Sequence, residues 1–257
     1  GKAAMSAEPR AHIRHDGVVV VSKIHDPNHL PTALSIVQAM CLFTAAYNHR
    51  MGYPVTVFTT RPVQVGTGGE RFEAMLKHAT HPADLHVASD TQGQSLHEHI
   101  HGLSQMQKAR LLHRCNVSAI EELDWKSKCR GTNDAVQIGY GWQAEFRGRQ
   151  IWTHPAMAKY KYMLWLDADA FCSAPWQQDP VDTMVRNGLV LLFDNMQGHA
   201  KRPPELARVM QDAFGSAVCS VSMHRGQLVA STGCDDRQTR SVALVHGFFH
   251  LTDLDFY

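Results

Sequence analysis

The sequence predicts an α/β layered protein in which a central, mostly parallel sheet is flanked by helices. Two observations predict it. Strand-like and helix-like runs alternate along the chain, as they do where helical crossovers join parallel strands. Within residues 159–172, KYKYMLWLDADAFC, the run from Tyr162 to Leu166 is apolar on both faces, the pattern of a central strand covered on each side.

Each element has its own warrant. "GVVVVSKI", from Gly17, reads as a buried strand. Pro31 opens a helix in which Leu34, Val37, Cys41 and Ala45 recur at helical spacing, and Gly52 stops it. "YPVTVFTT", from Tyr53, is the next strand and completes a βαβ unit. An amphipathic helix surrounds residues 105–113, and another spans residues 134–152 until His154-Pro155 breaks it; His154 reads as a helix-end residue. After the apolar strand come a short helix capped by Asp179 and stopped by Gly188, the strand "LVLLFDN", and a helix beginning at Pro203.

With 257 residues, 44% of them hydrophobic and 19% charged, one domain is expected, with residues 1–15 a disordered lead-in. The net charge of +1 gives no reason to expect nucleic acid or an anionic membrane surface as a partner. No apolar run reads as long enough to span a bilayer, and the opening lacks the apolar core of a signal peptide. The apolar, aromatic last residues suggest a chain that continues. Six cysteines form no CxxC pair, which argues against a zinc ribbon and leaves disulfides open. Asn116-Val117-Ser118 is an acceptor triplet for N-glycosylation, compatible with a secretory compartment.

The chemistry concentrates in Asp167 and Asp169. Residues two apart on a strand point the same way, so both carboxylates converge while Ala168 faces away. At the carboxyl end of a parallel strand they open into the crevice where α/β proteins bind ligands. Two carboxylates there resist ionising together unless a cation lies between them. Oxygen donors suit Mn²⁺ or Mg²⁺, with positions left for phosphate oxygens, and the chemical use is to neutralise a departing nucleoside diphosphate. The plain alternative is a solvated pair at a strand-to-loop junction. Lys23, just past the first strand, is placed to meet phosphate or to stand in solvent.

Two other patterns compete. His97 to His101, HEHIH, has the two histidines and glutamate of a zinc peptidase, with Glu121 or Glu122 as a third ligand, but no further ligand motif follows it and a solvated helix face explains it as well. Gly66 to Gly69, GTGG, lacks the third glycine of a dinucleotide loop and reads as a flexible loop.

Residues 140–184 resemble the fungal Golgi α-1,2-mannosyltransferases that use GDP-mannose. Tyr140, His154-Pro155, the aromatic strand, Asp167-Ala168-Asp169, Cys172 and Asp179-Pro180 stand in the order of that family's motifs. "ALSIVQAM", "YNHRMGYPVTVF" and "FFHLTDLDFY" extend the likeness more weakly to both sides. The resemblance implies a single GT-A catalytic domain lacking its C-terminal part. It implies a retaining transfer of mannose to a mannose-containing glycan acceptor, in the Golgi lumen, behind a membrane anchor absent from this chain. It makes Asp167 and Asp169 ligands of Mn²⁺ and of the GDP-mannose diphosphate, Tyr140 an active-site residue, and His250 the counterpart of a glutamate near the reacting carbon. Asp167 replaces the family's glutamate, and a further metal-binding histidine of the family would fall beyond Tyr257. A GT-A transferase using a UDP-sugar and a non-catalytic nucleotide-sugar-binding relative are the alternatives.

Overall fold

A computed structural model describes residues 13–64, 68–130, 135–193, 196–201, 218–224, 227–232, 241–245 and 249–256. The βαβ unit lies where the sequence puts it. Strand β1 (Val18–Ile24) leads to α1 (Leu30–Phe43), which runs on through a π turn (Thr44–Asn48) into α2 (His49–Met51). Gly52 ends this helix at φ +61°, a left-handed conformation that side chains disfavour. Strand β2 (Val55–Thr59) then runs parallel to β1. The continuous helix Leu30–Met51 is long and apolar enough to cross a membrane by length and composition, correcting the expectation that no run qualifies. Its Ile36, Met40, Phe43 and Tyr47 are fully buried within the fold, as befits the crossover of a βαβ unit.

Helix α3 (Gly68–Thr80) and strand β3 (Leu85–Ser89) follow; Gly68 and Gly69 belong to the helix, correcting the loop reading there, and the first part of GTGG lies outside the described residues. Helices α4 (Leu96–His101) and α5 (Gln105–Cys115) are opened by capping boxes on Ser95 and Ser104. Residues 135–137 are not helical as expected: β5 (Ala135–Gln137) pairs antiparallel with β4 (Lys128–Arg130), and α6 starts only at Ile138 and ends at Gly148. A Cys115–Cys129 disulfide ties the end of α5 to β4 and settles one of the pairings the sequence left open. Strand β6 (Tyr162–Leu166), helix α7 (Pro180–Asn187) and strand β7 (Leu191–Phe193) complete the alternation. As expected, the Asp179 carboxylate caps α7 by accepting from the backbone of Val181 and Asp182, and Gly188 stops it.

The main sheet has the order β3-β2-β1-β6-β12-β7, where β12 is Phe249–Asp253. β1 pairs parallel with both β2 and β6, and β2 with β3, so the expected mostly parallel sheet is present. The chain divides into two compact units, Gly1–Leu191 with Leu251–Tyr257, and Leu192–His250. Within the second, β8 (Met196–Lys201) pairs antiparallel with β11 (Ser241–Val245), and β9 (Val218–His224) with β10 (Gln227–Thr232). The helix expected at Pro203 lies outside the described residues.

Strand β6 is central because both its faces are covered. Met163, Leu164, Trp165 and Leu166 are each at most 2% exposed. Met163 and Trp165 join Val19, Val21, Phe58 and Phe146 in one core cluster, which places α6 against that face of the sheet. Each such apolar side chain contributes about 1.5–3 kcal/mol on burial.

His154 follows α6 as expected, and it is buried. Its Nδ1 accepts the Ala156 N–H, which leaves the proton on Nε2 to donate to the Ser89 carbonyl at the end of β3. Burial holds its imidazole below the ordinary histidine range, against the opposing pull of the Ser89 carbonyl. As pH falls through the unfolded-state value of about 6.5, the unfolded chain takes up a proton that the folded chain refuses, so stability is lost on the acid side. Urea midpoints measured between about pH 7.5 and about pH 5.5 are expected to fall, and to fall less in His154→Leu from its lower starting stability.

Candidate active site

Asp167 and Asp169 follow β6 directly. Strand alternation puts Trp165 and Asp167 on one side, and the Trp165 indole donates from Nε1 to Asp167 Oδ1 at 2.6 Å. Arg147, on the last turn of α6, donates from Nη1 to the same oxygen at 3.3 Å. Its guanidinium lies 4.4 Å from the centre of the Trp165 ring, a cation–π contact. Burial, reinforced by the charge of Asp169, raises the Asp167 carboxyl above the usual range, although the Trp165 and Arg147 bonds oppose that rise. Asp169 is exposed and makes no hydrogen bond or ion pair among the described residues.

Tyr140 is in the first turn of α6, seven residues before Arg147 and so two helical turns away on the same face. It is 68% exposed, and it is near enough to favour the charged form of Arg147, whose guanidinium burial pulls down. Tyr140, Gly139 and Gln143 also line a cavity of about 300 Å³ with His25, Asp26 and Trp125, at the carboxyl end of β1. Gly139 is required by close approach: a Cβ there would come within 3.1 Å of the Trp125 carbonyl and 3.3 Å of the His25 ring. Both His25 ring nitrogens are buried without a hydrogen-bond partner beside this cavity. Burial, helped by Lys23 and Arg61, keeps that imidazole below its ordinary range.

Lys23 has a different setting from the one its sequence position suggests. Its side chain is 1% exposed; Nζ pairs with Asp90 Oδ2 at 2.7 Å and donates to Thr60 Oγ1 at 2.9 Å, while Thr60 donates to that same Asp90 oxygen. Burial lowers the ammonium and Asp90 works against it. A phosphate would reach this cation only by displacing Asp90. His250 lies on β12, the neighbour of β6 in the sheet.

The HEHIH segment does not assemble a metal site. Glu98 is held by the capping box, receiving the Ser95 N–H at 2.6 Å, and His97 bonds the Leu123 carbonyl. Glu122 receives the backbone N–H groups of Ser118 and Ala119. Among the described residues no group of three His, Cys, Asp or Glu side chains can hold a metal ion. Asp167 and Asp169 alone could supply only part of a metal's donor set. Their hard oxygens and their mutual repulsion suit Mn²⁺ or Mg²⁺ with remaining positions filled by substrate.

Sequence reasoning missed Arg147 and the part played by Trp165. The signals were present: Trp165 precedes Asp167 by the strand period, and Arg147 follows Tyr140 by two helical turns.

No protein-family model and no curated protein matches the sequence. Among solved structures, core-mannan synthase A from Aspergillus fumigatus in its Mn/GDP form superposes with a TM-score of 0.62 at 16% identity, covering 96% of this chain and 62% of that one. The mannosyltransferase Ktr4p from S. cerevisiae in complex with GDP gives 0.61 at 14% identity, covering 93% and 57%. The chain has the GT-A fold. It spans about three-fifths of the length of these structural neighbours.

Removing Lys23 leaves a buried carboxylate unpaired. Lys23→Ala is expected to destabilise by about 3–5 kcal/mol, with most of that recovered in Lys23→Leu/Asp90→Leu, both read from denaturant unfolding.

Proposed function

We propose that this chain carries the donor site of a retaining mannosyltransferase that takes mannose from GDP-mannose and passes it to a mannose-containing glycan. The observation that carries the reading is the Asp-x-Asp pair at the carboxyl end of the central strand, with Asp167 held by Trp165 and Arg147. The likeness in fold to GDP-bound and Mn/GDP-bound mannosyltransferases supports the donor class.

Asp167 and Asp169 would hold Mn²⁺, which when bound supplies charge neutralisation at the diphosphate and so improves the leaving group. The chain's own part is positional and electrostatic. Trp165 fixes one oxygen of Asp167, so the carboxylate presents its other oxygen in one orientation. Arg147 brings a second positive charge to the strand end, suited to diphosphate oxygens. In this reading Tyr140, two turns away on the same face, borders the sugar, and the cavity beside His25, Asp26 and Trp125 takes the nucleoside. His250 is proposed to hydrogen-bond the sugar from β12, and Lys23 to contribute through Asp90 rather than by direct contact. The Cys115–Cys129 bridge fits an oxidising lumen such as the Golgi.

Calorimetric titration of GDP and UDP, each with and without Mn²⁺, tests the assignment. GDP is expected to bind far more tightly with metal than without it, UDP more weakly, and Asp167→Ala/Asp169→Ala to abolish the metal-dependent part of the binding while leaving the fold intact. UDP preference would move the donor to the uridine class, and metal-dependent GDP binding without mannose release would favour a non-catalytic relative.

A further inference from the structure

The other side of α6 borders a second, larger cavity, of about 740 Å³, within the usual range of small-molecule sites. Its walls are apolar: Ile100, Leu111, Ile138 and Trp142 are among them. Ile100, Leu111 and Ile138 belong to a small satellite core whose buried residues are Leu96, Ile100 and Leu123. Helix α5 faces this core with Leu111 and Leu112 yet buries no residue, so its apolar side leaves the cleft open.

The polar groups around the cleft are mostly donors. Trp142 is 7% exposed, and its indole N–H is buried without an acceptor. Arg110 and Arg114, one helical turn apart on α5, both line the cavity. Neither pairs with a carboxylate among the described residues; Arg114 spends its Nε on the Arg130 carbonyl. Glu145, the acid of the lining, accepts from Gln150. A buried donor without an acceptor and two unpaired guanidiniums beside an apolar cleft match a ligand with an apolar body and an anionic, acceptor-rich head.

We infer that this cavity is a binding site for a single-chain amphipathic anion, distinct from the Asp167 site. The chain would lie along Ile100, Leu111 and Ile138, with the head between Arg110 and Arg114. The inference does not depend on the transferase reading.

The test is a fluorescence titration with 8-anilinonaphthalene-1-sulfonate, followed by displacement with decyl phosphate or decanol below their micellar concentrations. One saturable site is expected, from which decyl phosphate displaces the dye at least ~tenfold more effectively than decanol. Arg110→Gln/Arg114→Gln should erase that preference. Gly141→Leu should block the site without unfolding the helix, because nothing lies within 4 Å of a Cβ at that cavity-lining position. GDP binding should be unchanged in both variants. Equal displacement by the two probes, dye binding that survives Gly141→Leu, or no saturable binding in the folded wild type would each overturn the proposal.

Discussion

The buried Lys23–Asp90 ion pair is the constraint on which the active-site end of the sheet depends. It joins the carboxyl end of β1 to the residue after β3, and Thr60, just past β2, bonds both partners. Three parallel strands are thereby closed at one level by a single charge pair taken out of water. Such a pair tolerates loss of both partners far better than loss of one, so it acts as a registration device more than as a source of stability. It also decides the electrostatics of the crevice. The lysine nearest the expected phosphate path is already neutralised, and the positive charge at the end of β6 comes instead from Arg147.

That transfer of role follows from strand alternation. Val19, Val21 and Lys23 share a face of β1, and Met163, Trp165 and Asp167 share the matching face of β6. Helix α6 packs on this face through Phe146, which lies in the core cluster with Trp165 and 5.9 Å from the Lys23 ammonium. Because Phe146 is fixed in the core, Arg147 beside it is carried to the strand end, where it reaches Asp167. The same helix exposes Tyr140 beside the smaller cavity and turns Trp142 into the larger one. One helix therefore serves two chemically different clefts, a polar one over the strand ends and an apolar one over the satellite core.

Much of this was legible in the sequence. The βαβ unit, the central strand, the Asp179 cap and the Gly188 stop are local patterns, and each was found in place. What could not be read was set by long-range pairing. Residues 135–137 look helical by composition but are drawn into a hairpin with β4, whose Cys129 is bridged to α5. Lys23 reads by position as a phosphate contact or a solvated lysine, yet it is buried against Asp90, which stands two strands away. Leu85–Ser89 is only half-buried, as an edge strand should be, so it lacks the apolar run that marks β1 and β6. Arg147 showed its spacing from Tyr140 in the sequence, but its reach to Asp167 rests on the packing of its neighbour Phe146.

The account's central claim is that the Asp167–Asp169 pair places a divalent metal against a nucleotide diphosphate. The most direct measurement is the ³¹P spectrum of GDP bound to the protein while Mn²⁺ is added at a small fraction of the protein concentration. Selective broadening of both phosphorus resonances in the wild type, and its loss in Asp167→Asn/Asp169→Asn under the same conditions, is the expected result. Equal broadening in the two proteins would mean that the metal meets the nucleotide elsewhere, and the claim would fail.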